Sequence, residues 1–108
     1  MPTKNNIEIE PNLSEFNKMI SSKDLVVVDF FAEWCMPCLM LAPVIESLAK
    51  KFKEIKFIKI NIDSNQKLAR NYEVSSIPCL IIFKEGKEID RLIGFRSAED
   101  IEKKIKEY

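Results

Sequence analysis

The sequence contains no histidine and only two glycines, Gly86 and Gly94. Without imidazole, Ser-His-Asp and Cys-His catalysis are excluded, as is every zinc site that needs a histidine ligand. Two isolated glycines cannot build a P-loop or a dinucleotide-binding GxGxxG turn, so nicotinamide or nucleoside triphosphate chemistry would have to belong to a partner. Neither charge is in surplus: Lys plus Arg and Asp plus Glu each number 17. Such a balance offers no field to draw a polyanion, which argues against nucleic acid and acidic membrane surfaces as partners. No apolar run approaches the roughly 18 residues of a membrane span. The stretch Met1 to Asn12 is polar and has no apolar h-region, so no signal peptide is expected. The cytoplasm, where thiols are kept reduced, is the expected location.

What is present is ordinary globular composition: 108 residues, 46% hydrophobic and 31% charged. No composition shift, repeat or low-complexity tract divides the chain, and residues 1–108 are expected to form a single domain. By surface scaling such a domain buries roughly two-thirds of its unfolded surface, enough for one modest core.

Asn12 reads as an N-cap, followed by Leu13, Phe16 and Ile20 on one helical face. The run Leu25 to Phe31 is β-branched and aromatic with almost no alternation, the pattern of a strand buried on both faces. After Cys35, the residues Leu41, Val44, Ile45, Leu48 and Phe52 recur at helical spacing, with Pro43 expected to kink that helix. Lys56 to Ile62 reads as a strand and Ser64 to Tyr72 as a short helix. Cys79 to Phe83 is a second apolar strand, turned by Lys84-Glu85-Gly86-Lys87 into a hairpin with Glu88 to Ile93. Ser97 and Asp100 have capping-box spacing before a last helix whose inner face is Ile101, Ile105 and Tyr108. Strand, long helix, strand implies a right-handed parallel crossover, whereas the closing hairpin must be antiparallel. The expected fold class is therefore α/β, a mixed central β-sheet with helices on both faces.

The chemistry is carried by cysteine. In Trp34-Cys35-Met36-Pro37-Cys38 two thiols stand three positions apart at the opening of the long helix, where they can meet across one turn. Unpaired backbone N–H groups and the positive end of the helix dipole would stabilise a thiolate at Cys35. Pro37 is tolerated in a first turn and stiffens the ring. Besides a redox pair, two other readings stand: buried cysteines acting as small hydrophobes, and half of a metal site, with Cys79 as a third soft ligand for zinc or an iron–sulfur cluster. A closed zinc site would want a second CxxC, which the sequence does not contain.

The stretch Val28 to Cys38 closely resembles the active-site segment of thioredoxins. Lys59-Ile60-Asn61-Ile62-Asp63, Ser76-Ile77-Pro78 before the apolar strand, and Gly94 after the hairpin resemble the same family, in the same order. The resemblance implies a thioredoxin-like fold and a protein dithiol–disulfide oxidoreductase. It implies Cys35 as the attacking thiol and Cys38 as the buried resolving thiol, passing through a mixed disulfide. It implies Asp29 as the buried carboxylate that exchanges a proton with Cys38, its pKa raised by desolvation, with Lys59 near it. Pro78 matches the family's cis-proline, which leaves the Ile77 backbone free to pair with an extended substrate. Trp34, Met36, Pro37, Ile77, Pro78, Gly94 and Phe95 would form the substrate-docking surface. The implied partners are disulfide-containing proteins and a separate thioredoxin reductase that brings the flavin and electron donor. No bound cofactor is needed, because the electrons reside in two sulfurs, and a monomer is expected.

The chain departs from the family's commonest pattern at four positions. Met36 stands at the usual glycine between the cysteines, Leu39 where a basic residue is common, and Phe31 for a tryptophan. Cys79 follows Pro78 where threonine is usual, which could bring it near the pair; it reads either as a packed small hydrophobe or as a third thiol. The rival functions are a glutaredoxin-like protein using glutathione, a cysteine-based metal carrier, and a non-catalytic scaffold.

Overall fold

A computed structural model describes residues 3–108. In chain order the elements are β1 (Asn6–Glu8), α1 (Leu13–Ile20), β2 (Val26–Phe31), α2 (Met36–Lys51), β3 (Lys56–Asn61), α3 (Gln66–Asn71), β4 (Cys79–Lys84), β5 (Lys87–Ile93) and α4 (Ala98–Lys106). They form one mixed sheet in the order β1-β3-β2-β4-β5. β3 runs parallel to β1 and β2, while β4 runs antiparallel to β2 and β5. This is the α/β architecture expected from the sequence.

β2 lies at the centre, and all six of its residues are buried. Its alternate side chains feed two cores. Val27 packs with Leu80 and Ile82 of β4, Leu41, Ile45 and Leu48 of α2, and Ile101 and Ile105 of α4. Val26, Val28 and Phe30 face the other way, against Phe16 and Ile20 of α1 and Leu68 and Ala69 of α3. Each face of the sheet thus carries two helices, which is why the apolar strands show so little alternation. Phe16, Phe83 and Tyr72 pack edge to face on the α1–α3 side, with ring centroids 5.3–5.8 Å apart.

Helix ends follow local chemistry. Asn12 caps α1 in a full capping box with Glu15. At α4 only half of the expected box forms: Ser97 Oγ accepts from the Asp100 N–H, but the structure shows no returning bond from the Asp100 carboxylate. Asp is one methylene shorter than the Glu or Gln that normally closes the box. Pro43 lies inside α2, which continues past it to Lys51. The hairpin turn has Glu85 at φ 52° and Gly86 at φ 84°, the two left-handed positions of a type I′ turn.

β1 was not expected from the sequence. Its three residues sit in a polar stretch and are secured by side chains rather than by a buried face. Asn5 Nδ2 shares its hydrogens among the carbonyls of Ala49, Phe52 and Ile55 at 2.9–3.0 Å. Two of these acceptors end α2, where carbonyls lack helical partners. Glu46 of α2 accepts from the Thr3 N–H at 2.8 Å and from Asn6 Nδ2. Those hydrogen bonds, led by that from Asn6, hold the Glu46 carboxyl below its ordinary pKa.

Candidate active site

β2 ends at Phe31, and the chain turns through Ala32, Glu33 and Trp34 before α2 begins at Met36. The turn closes when the Cys35 N–H donates to the Ala32 carbonyl at 3.3 Å. Cys35 is the N-cap of α2, with extended backbone at φ −92° and ψ 108°. Its sulfur accepts from the Cys38 N–H at 3.2 Å, in the place of the usual cap oxygen. Met36 and Pro37 occupy the first helical positions, where Pro37 gives up no helical hydrogen bond.

Cys35 and Cys38 are joined as a disulfide with Cα atoms 5.2 Å apart. Both are buried, packed with Phe31 and Ala32 and flanked by Ile62 and Ile77. The two sulfurs are not equivalent. Cys35 sits at the positive end of the helix dipole and receives a backbone N–H, and each feature favours negative charge on its sulfur.

Asp29 lies between Val27 and Phe31 on the α2 face of β2 by strand alternation, and is 2% exposed. Its Oδ1 is sealed from solvent and has no hydrogen-bond partner among the described residues. Burial pushes the carboxyl from 3.8 up to about 7, with the Lys59 ammonium pulling the other way. Lys59 is the register partner of Asp29 across β2 and β3. Lys59 is half-buried, and its ammonium lies 4.7 Å from the centroid of the Phe31 ring, a cation–π distance.

The expected docking residues come from three segments. Trp34 is 70% exposed, and its indole N–H donates to Asp63 Oδ2 at 2.9 Å, which fixes the ring beside Cys35. Met36 and Pro37 are exposed at the helix start. The Ile77–Pro78 bond is cis; Ile77 is half-buried against the disulfide, while the Pro78 ring is itself buried. The Gly94 N–H donates to the Pro78 carbonyl at 2.8 Å. Gly94 has φ +87°, and a Cβ there would meet nothing within 4 Å, so backbone conformation rather than space calls for glycine. Phe95 is 43% exposed.

Three further residues belong to this neighbourhood. Ile62 packs on the disulfide cluster, Asp63 holds Trp34, and Ile93 is exposed just before Gly94. The segment Lys59 to Asp63 carried the family resemblance, and that was the one signal pointing to Ile62 and Asp63.

Cys79 is not beside the pair. It is the register partner of Phe30, and both side chains pack in the α1–α3 core, on the face of the sheet opposite Asp29. Burial pushes its thiol pKa up, as expected of an inert packed cysteine. The three-thiolate arrangement considered from the sequence is therefore not formed. Among the described residues, no group of three or more Cys, Asp or Glu side chains is placed to hold a metal ion.

A dithiol capping a helix at the end of a central strand, backed by a buried acid, defines a thiol–disulfide oxidoreductase of the strand–helix type. The family model Thioredoxin matches residues 8–107. The chain is 54% identical over 84 residues to the thioredoxin of Chlamydia pneumoniae, covering 78% of this chain and 81% of that one. It superposes with TM-score 0.89 on thioredoxin NaTrxh from Nicotiana alata, at 33% identity over 99% and 94% of the two chains. A variant thioredoxin from Halobacterium salinarum NRC-1 also gives TM-score 0.89, at 31% identity over 100% and 94%. The chain belongs to the thioredoxin family, and its cysteine pair makes it a protein dithiol–disulfide oxidoreductase.

Proposed function

We propose that residues 1–108 form one thioredoxin domain that reduces protein disulfides with Cys35 as nucleophile and Cys38 as resolving thiol. The observation that carries the reading is the Cys35 sulfur at the N-cap, accepting the Cys38 N–H. In the reduced protein the Cys35 thiolate attacks one substrate sulfur, the substrate S–S bond breaks, and the leaving thiolate takes up a proton. The product is a mixed disulfide. Cys38 then gives its proton to the Asp29 carboxylate and attacks the Cys35 sulfur, releasing the second substrate thiolate. Two electrons pass to the substrate and the Cys35–Cys38 disulfide remains.

Asp29 suits the proton step because its pKa of about 7 lets it take and return a proton near neutrality. Lys59 sits across from it and tunes that value. Substrates dock on Trp34, Met36, Pro37, Ile77, Pro78, Gly94 and Phe95, a reading supported by Ile77, which packs against the disulfide. Ile77 offers its backbone to an extended substrate strand. A separate reductase restores the dithiol, and the protein works as a cytoplasmic monomer. Among the described residues, no helix is long and apolar enough to cross a membrane.

The test is disulfide reduction with dithiothreitol as electron source. Cys35→Ser should abolish turnover, and Cys38→Ser, reduced and then freed of dithiothreitol, should accumulate a mixed disulfide with substrate through Cys35. Full turnover by either variant would overturn the assignment.

A further inference from the structure

Going along α2 from the dithiol, the helix's own exposed residues are uncharged and apolar as far as Pro43, which borders a pocket shared with Glu8, Glu46, Lys50 and Lys59. From Trp34 to Ile45 no residue carries a charge, and Glu46 is the first. Buried positions in that stretch, among them Leu41 and Ile45, are explained by the core. The exposed ones are not: Met36 is 64% exposed, Leu39 51% and Met40 55%, and Pro43 is exposed as well. These four are spaced three, four and seven positions apart and so share one helical face. The other side of Trp34 is acidic, with Glu33 and Asp63 bordering a shallow pocket.

We propose that Met36, Leu39, Met40 and Pro43 form a specificity ridge that receives an apolar side chain of the substrate polypeptide, close in sequence to the attacked cysteine. The inference rests on Cys35 being the nucleophile. A substrate bonded to Cys35 lies against Met36, and Leu39 and Met40 follow within about one helical turn, roughly 5 Å. The ridge from Met36 to Pro43 is about 10 Å long. An extended peptide covers that length in about three residues, so the contacts fall one to three positions from the substrate cysteine. Methionine is unbranched and polarisable, so Met36 and Met40 can mould to side chains of different shape while rejecting charge. The occupant is thus a disulfide-bearing segment with aliphatic or aromatic neighbours.

Matched disulfide peptides test this, with Leu or Ser at the second position from the attacked cysteine, placed N-terminal in one pair and C-terminal in another. Each buried methylene is worth about a fourfold factor. The wild type should therefore favour the Leu peptide in kcat/KM by about three- to tenfold in one orientation. In the exposed-surface double variant Leu39→Gln with Met40→Gln that ratio should fall toward one. A wild-type ratio near one in both orientations overturns the ridge as a substrate site. So does such a ratio accompanied by concentration-dependent self-association that the double variant abolishes, which would give the ridge to a second copy. A preference that survives the double substitution overturns it equally. Failure of the wild type to reduce any of the peptides would count instead against Cys35 as the nucleophile.

Discussion

Replacing Asp29 with asparagine keeps the shape of the side chain and removes its ability to ionise, so the comparison isolates the cost of a buried charge. The folded carboxyl titrates at about 7 against an ordinary 3.8, and the cause is desolvation. A rise of about three pKa units corresponds to about 4 kcal/mol of preference for the neutral form. Below pH 4 Asp29 is protonated both folded and unfolded, and the charge costs nothing. Between pH 4 and 7 the unfolded state releases the proton while the folded state retains it. Stability is therefore lost as pH rises, by about 1.4 kcal/mol per unit. Above pH 7 the folded state carries the charge and the loss levels off near 4 kcal/mol, a large share of the 5–15 kcal/mol typical of a domain.

The measurement is urea unfolding of wild type and Asp29→Asn at pH 4, 5, 6, 7 and 8 with the disulfide intact. Any packing or hydrogen-bond change caused by the asparagine is the same at every pH, so the slope alone carries the argument. The chain has no histidine, so no other side chain with an ordinary pKa changes charge between pH 5 and 8. The variant should gain about 4 kcal/mol on wild type between pH 4 and 8. Lys59→Met removes the ammonium that opposes the shift, and its stability should continue to fall beyond pH 7. A difference between wild type and Asp29→Asn that stays flat across the range would refute the buried-acid account.

Asn5→Ala should destabilise the fold by about 1–3 kcal/mol in chemical denaturation, because it takes a donor from the Ala49 and Ile55 carbonyls, while that of Phe52 keeps the Ile55 N–H. An effect under about 0.5 kcal/mol would show that water replaces the clip without penalty. Cys79→Ala should retain full disulfide-reducing turnover, and Cys79→Ser should do so at a stability cost of about 1–3 kcal/mol for burying a hydroxyl in the α1–α3 core. Loss of turnover by a folded Cys79→Ala would restore the third-thiol reading. Ser97→Ala should cost about 1 kcal/mol in thermal or urea unfolding, since the serine satisfies the Asp100 N–H unaided. A shift within error would mean the helix end is held by packing of Ile101 alone.

The strands and helices that build the site were legible because each declares itself locally. β2 and β4 are continuous apolar runs, α2 and α4 have a periodic inner face, and the hairpin has its glycine at the turn. The reactive pair was legible for the same reason, since its chemistry lies in a four-residue spacing at a helix start. What escaped depends on partners distant in sequence. β1 pairs with β3 and is clipped to α2 by Asn5 and Asn6, whose acceptors lie in and after α2 more than 35 residues away, and nothing in the short segment Asn6-Ile7-Glu8 announces that. Asp63 earns its place only through the indole of Trp34, 29 positions earlier. Cys79 shows the point most sharply. Its position beside Pro78 suggested proximity to the dithiol, but a strand reverses the direction of its side chain at every residue. Which face Cys79 takes is decided by the β2–β4 register, where it meets Phe30 while its neighbour Leu80 meets Asp29. A slip of one residue would carry the thiol to the redox face and bury leucine in its place among the aromatic rings of the other core. The separation of Cys79 from the redox pair is therefore a property of strand pairing, and no reading of its immediate neighbours in the chain can supply it.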